Sequence, residues 1–422
     1  MNTIVIALGG NAILRSGQRG TTDEQLANVD TTARQIAKIA RAGNRIVVAH
    51  GNGPQAGALL IQQEESEAMV PGQSLAACGA MTQGHIGWMI QNRLSHYLRA
   101  EGMNAGACSL VTQVLVSVDD PDFEDPSKPV GPFYSEKDAE SLQRVKHYCM
   151  KLVKPGSEKG WRRVVPSPEP LEIVEESAIR ALLDSGFVVI ASGGGGVPVA
   201  PNGDGTLRGV NAVIDKDKAS FTLAKAVHAD ALLILTDVEK VSLRYGTPEA
   251  CGADELRVAD AERYLAEGHF LKGSMGPKVE ACLRFVRWSG KTATIGCLDK
   301  AIEALAGSSG TRFLPYAAPR LGRFVRRQVP PAVERENGTG DPRALRRSEE
   351  KRRCGHVSRF AVATEGMGGA ESLVGGGDLV RGEDGIAQFS LLDHAGTNHI
   401  HTDVLGGDFQ GHDLRHHDEG RF

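Results

Sequence analysis

Short apolar runs alternate with helical patterns along the first three quarters of the chain. The apolar runs at residues 4–8, 45–49, 187–191, 231–235 and 292–295 predict buried strands, and 109–118 is strand-like. Apolar positions at helical spacing predict helices over residues 23–41, 75–100, 175–185, 219–227 and 278–288. Strands that alternate with helices indicate an α/β fold with a mostly parallel sheet covered on both faces.

Two segments break this alternation. Residues 119–168 are rich in proline, glycine and charge, and a segment of that length predicts an ordered lid or small subdomain inserted in a domain of residues 1–313. Residues 314–422 are rich in arginine and glycine and show no sustained period, which predicts a disordered C-terminal extension. Whether this extension is natural or the product of read-through or a frameshift stays open.

Composition narrows the class of protein. The chain has 422 residues and a formal net charge of -4, so it has no overall attraction for nucleic acid or anionic membranes. Its seven cysteines show no CxxC spacing, which favours reduced thiols over disulfides or a zinc site. There is no signal-peptide pattern and no apolar stretch of about 20 residues that would span a bilayer. These features predict a soluble cytoplasmic protein.

Three glycine-rich turns follow predicted strands. The first, ALGGNAI, contains Gly9, Gly10 and Asn11; the second, HGNGPQ, contains Gly51, Asn52 and Gly53; the third, SGGGGVP, contains Gly194 and Gly195. Each alone is typical of a tight turn. Ligands of open parallel sheets bind beyond the carboxyl ends of the strands, and glycine turns there expose backbone N–H donors. Together the three turns predict an anion site.

Two later motifs, IDKD and GSMGPK, supply lysines for such a site. Lys216 lies between two aspartates, of which Asp217 can either orient the lysine or cap the following helix, and Lys278 follows a glycine-proline turn. A cation about 4 Å from a phosphate oxygen stabilises it by about 4 kcal/mol at an effective dielectric near 20. The residues therefore predict phosphoryl transfer.

Other nucleotide-binding and hydrolytic templates do not match. A Walker A loop requires a glycine five residues before a Gly-Lys-Thr sequence. This chain has that sequence at Gly290, Lys291 and Thr292, but the position five residues earlier is Phe285. The chain has no GxGxxG in the required context, no GxSxG and no HExxH, which excludes the corresponding dinucleotide-binding, hydrolase and zinc-protease motifs.

Residues 1–311 resemble carbamate kinase, of the amino acid kinase superfamily. The motifs ALGGNA, HGNGPQAG, CGAMTQGHIGW, PSKPVGPFY, GWRRVVPSPEP, ASGGGGVPV, AVIDKD and GSMGPKV occur in order. The resemblance implies a three-layer αβα sandwich on a mainly parallel eight-stranded sheet, and a homodimer. It also implies reversible phosphoryl transfer between ATP and carbamate, giving ADP and carbamoyl phosphate, with Mg²⁺ carried on the nucleotide phosphates. The resemblance further implies a role in arginine catabolism, where enzymes of this family usually run toward ATP.

The same resemblance implies roles for individual residues. Lys216 and Lys278 match phosphate-contacting lysines, Asp217 the acid beside the first of them, and Lys128 a lysine that the lid brings over the site. The glycine and asparagine residues of the first two turns match the pocket for carbamate and the transferred phosphoryl group, and Gly194 and Gly195 of the third turn are assigned to substrate binding with them. Residues on the adenosine side are Thr236, Asp237, Tyr245 and Met275.

Two positions depart from the family pattern: Asn211 stands where glutamate is expected, and Leu115 where an acid is common. Carbamate is already an anion, so no general base is required. Asp217 is therefore interpreted as a residue that orients Lys216 and Lys278 and accepts no proton, and His50 as a turn or pocket residue. Alternatives are another small-carboxylate kinase of the superfamily, a nucleotide-sensing protein without turnover, and a nucleic-acid-binding role for the arginine-rich extension.

Overall fold

The computed structural model describes residues 1–15, 17–104, 106–271 and 273–316. The prediction of a disordered extension falls on residues 314–422, and all of these except 314–316 lie outside the described residues. None of the helices in these ranges is long and apolar enough to cross a membrane. The helices are α1 (Thr22–Arg41), α2 (Gly53–Ser66), α3 (Leu75–Ala100), α4 (Glu136–Lys146), α5 (Glu176–Asp184), α6 (Lys216–Ala226), α7 (Val258–Ala266), α8 (Met275–Ser289) and α9 (Ala301–Ala306).

The strands of the same ranges form one large sheet and three small ones. They are β1 (Thr3–Leu8), β2 (Arg45–His50), β3 (Ala107–Ser109), β4 (Gln113–Leu115), β5 (Lys128–Tyr134), β6 (Met150–Leu152), β7 (Trp161–Val165), β8 (Glu172–Ile173), β9 (Val188–Ile190), β10 (Val197–Pro201), β11 (Leu207–Gly209), β12 (Ala231–Thr236), β13 (Val241–Leu243), β14 (Cys251–Ala253), β15 (Glu255–Arg257), β16 (Ala293–Cys297) and β17 (Thr311–Leu314).

The large sheet has eight strands in the order β15-β17-β16-β12-β1-β2-β9-β3. All its neighbouring pairs are parallel except β16 and β17. The predicted mainly parallel, eight-stranded sheet is therefore confirmed. The central strands β12, β1, β2 and β9 are neighbours, so the segments that follow their carboxyl ends meet at one edge of the sheet.

Alternate residues of the central strand β1 enter two different cores. Val5 and Ala7 pack in a core that includes residues of α6 and α8, whereas Ile4, Ile6 and Leu8 pack in one that includes residues of α1 and α3. Side chains along a strand point alternately to the two faces, and here both faces are apolar because both are covered by helices. This arrangement confirms the predicted three-layer αβα sandwich.

Local sequence explains where the first helix begins. The Thr21 hydroxyl accepts a hydrogen bond from the Glu24 N–H, and the Glu24 carboxylate accepts one from the Thr21 N–H at 3.0 Å. This capping box satisfies two backbone donors that the first turn leaves unpaired. The apolar face of α1 then packs on the sheet through residues such as Ile36.

The strand-like interpretation of residues 109–118 as one element was wrong. The segment contributes Ser109, the last residue of β3, to the large sheet, and β4 to a small sheet in the order β11-β10-β4-β8. Between them, the Gln83 side chain of α3 donates to the Thr112 carbonyl at 3.0 Å and accepts from the Thr112 N–H at 2.8 Å. These bonds fix Thr112 against α3 between the two strands, while its carbonyl also accepts from the Val197 N–H of β10 at 2.9 Å.

Residues 119–168, here called the lid segment, contain the antiparallel sheet β5-β7-β6 and α4. The segment contacts α2, where Gly57 lies against Gly131 of β5: a Cβ atom added at Gly57 would lie 2.8 Å from the Gly131 N and Cα atoms. Leu60 of α2 packs with Val130 and Val165 of the lid segment beside this contact. A glycine at position 57 therefore sets the close approach of the two backbones.

The Gly57 contact predicts a stability effect. We expect Gly57→Ala to lower the free energy of unfolding by about 1–3 kcal/mol, because backbone atoms of β5 must move to admit the methyl group. The matched control is Gly79→Ala in α3, where nothing lies within 4 Å of the added Cβ. That change should be neutral or stabilise by up to about 1 kcal/mol. Denaturant unfolding of both variants tests this, and equal effects would contradict it.

Candidate functional site

Hydrogen bonds join the first two glycine turns to the central strands at the carboxyl edge of the sheet. The Gly9 N–H donates to the Leu235 carbonyl at 2.8 Å, and the Gly51 N–H donates to the Leu8 carbonyl at 3.1 Å. A Cβ at Gly51 would lie 3.5 Å from both the Gly10 N and the Lys216 Cδ atoms. The structure thus brings together two glycine turns and a lysine that is far away in the sequence.

The third glycine turn packs against the second. Gly194 and Gly195 have positive φ angles of 66° and 95°, which glycine adopts without strain. A side chain at Gly194 would overlap the Asn52 amide, and a Cβ at Gly195 would lie 2.6 Å from the Ile214 carbonyl oxygen. The three predicted turns therefore form one continuous surface.

The first turn of α2 opens onto this surface. α2 begins at Gly53, and its N-cap residue Asn52 makes no side-chain capping bond. The Asn52 amide instead donates to the Thr82 hydroxyl at 2.7 Å. The first N–H groups of a helix have no partner within the helix, and the positive end of the helix dipole favours anions. This end of α2 is suited to bind a small anion.

A buried carboxylate holds the two predicted lysines together. One oxygen of Asp217 contacts the Lys216 Nζ, and the other lies 3.1 Å from the Lys278 Nζ. Burial lowers the pKa of Lys216, Asp217 opposes that shift, and repulsion from Lys278 adds to it. Two ammonium groups around one carboxylate leave an excess positive charge, which a phosphate group can neutralise.

Asp215 is the helix cap, and the sequence analysis gave it no role. Its carboxylate accepts from the Asp217 and Lys218 N–H groups, at 2.9 and 3.3 Å. This cap leaves the Asp217 carboxylate free to contact Lys216 and Lys278, which agrees with the interpretation of Asp217 as the residue that orients the lysines. The motif IDKD contained the signal, because aspartate is a preferred N-cap residue.

Asp215 also links α6 to the lid segment. The Lys128 Nζ lies 2.6 Å from its carboxylate. Burial opposes ionisation of Asp215, but the nearby ammonium groups of Lys128 and Lys216 and the hydrogen bond from the Asp217 N–H together outweigh it, so the pKa of Asp215 lies well below its usual range. The lysine expected from the lid segment therefore reaches the residue next to Lys216.

The four residues expected on the adenosine side line one cavity of about 180 Å³, together with Lys278. They are Thr236, Asp237, Tyr245 and Met275. Phe270 also lines this cavity, and no sequence signal singled it out. Asp237 accepts a hydrogen bond from the Asn11 amide at 2.8 Å, so the cavity adjoins the first glycine turn.

Sequence comparison identifies the family to which this chain belongs. The sequence model of the amino acid kinase family matches residues 2–297. The chain belongs to the amino acid kinase family. The predicted resemblance to carbamate kinases within it, and the prediction of a kinase, are also confirmed by the relatives described next.

Several relatives cover nearly the whole described part of this family member. The carbamate kinase of Pyrococcus furiosus is 49% identical over 314 residues, which are 74% of this chain and 99% of that protein. The carbamate kinase of Thermococcus kodakarensis is 50% identical over 315 residues, with the same coverage of 74% and 99%. The solved carbamate kinase of Giardia lamblia bound to AMP-PNP has a TM-score of 0.69 at 41% identity, covering 75% of this chain and 99% of that one.

His50, at the second glycine turn, is a buried and neutral residue. Its Nδ1 is 3.0 Å from the Gly51 carbonyl, and its Nε2 has no hydrogen-bond partner in the described part of the chain. Burial lowers the pKa of His50 to about 4, the bond to Gly51 opposes this, and Lys216 contributes to it. This environment agrees with the interpretation of His50 as a pocket residue.

The lowered pKa of His50 predicts a pH dependence of stability. As the pH falls from 6.5 toward 4, the unfolded chain takes up a proton at His50 before the folded chain does. This difference should remove about 3 kcal/mol from the free energy of unfolding across that window. His50→Asn, which can still donate to the Gly51 carbonyl, should lose that part of the dependence. Unfolding at pH 7 and pH 4.5 measures it.

The control for this experiment is His96→Asn on the exposed part of α3. This variant should keep the pH dependence of the unsubstituted protein. The explanation fails if His50→Asn retains the full difference in unfolding free energy between the two pH values.

Proposed function

We propose that this protein is a carbamate kinase, which transfers a phosphoryl group reversibly between ATP and carbamate to give ADP and carbamoyl phosphate. The observation that carries the proposal is the convergence of Lys216 and Lys278 on Asp217, beside the glycine turns at the sheet edge. The carbamate kinases among its relatives support the choice of acceptor.

In this proposal Lys216, Lys278 and Lys128 bind and neutralise the phosphate oxygens during transfer. Asp217 orients the first two lysines and takes no proton, because both of its oxygens face ammonium groups. Carbamate reacts as an anion and needs no base. The residues thus act through positioning and charge stabilisation, which supply most of the catalysis in phosphoryl transfer.

The proposed carbamate and phosphoryl pocket is formed by the glycine turns and the start of α2. It comprises Gly9, Gly10, Asn11, Gly51, Asn52, Gly53, Gly194 and Gly195. ADP or ATP would occupy the cavity between the β12 end and the start of α8, with its phosphates toward Lys278.

We further propose that Mg²⁺ arrives on the nucleotide phosphates. Among the described residues, no group of three His, Cys, Asp or Glu side chains is arranged to hold a metal ion. Asp217 is engaged by two lysines and so is occupied as an orienting group. When bound, the metal would neutralise phosphate charge that the lysines do not reach.

We also propose that the enzyme is cytoplasmic, takes part in arginine catabolism and catalyses the reaction in the direction of ATP synthesis. The six cysteines in the described ranges are all free, which suits a reducing compartment. Measuring the reaction in both directions, and the loss of arginine-dependent ATP formation in cells that lack the protein, would test this role.

We also propose a homodimer, supported by an apolar strip on α3. Met81 and Trp88 are 41% and 50% exposed, and His85 lies between them at helical spacing. Large exposed apolar side chains that line one helix face are typical of a contact with another molecule.

The strip on α3 predicts the effect of a charge. Trp88→Glu should weaken the dimer by about 30-fold or more, because a buried aromatic contact is replaced by a desolvated charge. Val145→Glu on α4 is the control, since Val145 is another exposed apolar residue on a different surface. Sedimentation equilibrium of both variants measures the effect. A dimer of unchanged affinity in Trp88→Glu would place the interface elsewhere.

The proposed reaction is tested directly by ATP formation from ADP, carbamoyl phosphate and Mg²⁺ with the full-length chain. Lys216→Ala should lower turnover by about a thousandfold or more, because it removes a cation that contacts the transferring phosphate. Lys225→Ala, in the last turn of the same helix, should keep near-normal turnover. Absence of ATP formation by the unsubstituted protein would overturn the proposal, and near-normal turnover of Lys216→Ala would overturn the role of the lysine.

A further inference from the structure

A large cleft separates the lid segment from the main body beside the kinase site. Its volume is about 1010 Å³, and it is lined by Lys128 and Asp215 on the inner side. Leu271 and Ser274, which precede α8, line it opposite the lid segment. A substrate that approaches the lysine cluster from this side passes along these walls.

Every carboxylate that lines this cleft already has a hydrogen-bond or ionic partner. Asp120 and Asp122 accept from the backbone, and the other three face ammonium groups. The partners are the Glu169 N–H for Asp120 (2.9 Å), the Ser167 N–H for Asp122 (2.5 Å), Lys151 for Asp125 (2.6 Å), Lys218 for Glu169 (3.0 Å) and Lys128 for Asp215 (2.6 Å). The cleft therefore offers no unengaged acid to an incoming cation.

Of the four cationic side chains that line the cleft, two have no carboxylate partner among the described residues. Lys128 and Lys218 have carboxylate partners. Arg162 and Lys154 also line the cleft, and neither has a carboxylate within 4.0 Å among residues 1–316 as described. Lys154 is exposed, so water solvates its charge, whereas Arg162 is only partly exposed. Arg162 is thus a partly desolvated positive charge without a counter-ion in this part of the chain.

The position of Arg162 on β7 explains this difference. Arg163, its neighbour, points to the opposite face and pairs with Glu64 of α2 at 2.7 Å. The Arg162 guanidinium donates to the Gly131 carbonyl at 2.6 Å and lies 5.1 Å from the Phe133 ring centroid. Its contacts are therefore with neutral groups, which hold the guanidinium in place but leave its charge uncompensated. Burial lowers the pKa of Arg162, yet an arginine remains protonated at neutral pH.

We propose that Arg162 binds a phosphate group in the cleft, as a second cation contributed by the lid segment in addition to Lys128. A guanidinium presents paired N–H donors that match two phosphate oxygens. The inference rests on the proposed kinase function and assigns a further substrate-binding residue to it. The chemistry fits the phosphate of carbamoyl phosphate and the terminal phosphate of the nucleotide equally.

The strand spacing indicates where Arg162 acts. Gly131, to which it donates, is three residues beyond Lys128 on β5, roughly 10 Å along the strand. Lys128 reaches inward to Asp215 at the start of α6. Arg162 therefore contacts the phosphate from the outer side of the cleft, and Lys128 from the inner side.

The test uses full-length Arg162→Gln and Arg162→Lys, with KM for carbamoyl phosphate and for ADP measured separately. One of the two KM values should rise roughly tenfold or more in Arg162→Gln, and the substrate affected identifies the source of the phosphate. Arg162→Lys should recover part of the loss, because it keeps the charge but not the paired donors. Thermal protection by inorganic phosphate should weaken in parallel, which provides a readout independent of turnover.

Lys154→Gln is the matched control, since it removes one positive charge from the same cleft at an exposed position. Its effect on KM should stay within about twofold and disappear at high salt, as expected for a screened surface charge.

The inference is overturned if Arg162→Gln keeps both KM values within twofold, or if Lys154→Gln raises KM as much as Arg162→Gln does. If Arg162→Gln does not fold, Arg162→Lys decides, and unchanged KM values and phosphate protection in that variant overturn the inference. An inactive unsubstituted protein would instead overturn the proposed function.

Discussion

Two ammonium groups remain close together in a buried pocket only if a carboxylate lies between them, and Asp217 meets that condition. Its two oxygens contact Lys216 and Lys278, which come from different helices. α6 and α8 must therefore approach each other with this residue between them, and both helices are anchored in the same apolar core. The cluster retains an excess positive charge, so it is most stable when an anion such as a phosphate group is bound.

The same constraint extends from α6 to the lid segment. Asp215 caps α6 one residue before Lys216 and also binds Lys128, so one carboxylate holds the start of the helix and a cation from the lid segment. The Gly57–Gly131 contact sets the distance between that segment and the body. A change in the position of the lid segment relative to α2 and α6 would therefore alter the charge around Lys216 as well as access to the cleft.

Sequence patterns predicted the elements whose signals are local. The helix predicted over 75–100 coincides with α3, and the five apolar runs all lie in the large sheet. α2 was not predicted, because Gly53, Pro54 and Gly57 read as a turn and have low helix propensity. Its packing against β5 supplies the stability that propensity does not. The 109–118 run was misread because its two strands pair with different sheets, which is a property of long-range contacts.

The sequence by itself determined the kinds of groups available: glycine turns after apolar strands, two lysine motifs, and a family resemblance that the comparisons confirm. The tertiary structure decided that Asp215 caps α6 and also binds Lys128 of the lid segment. It also decided that Arg163 is neutralised by Glu64 while Arg162 faces the cleft without a counter-ion in the described residues. The physical reason is that charge compensation and burial depend on partners from distant segments, whose distances no local pattern encodes.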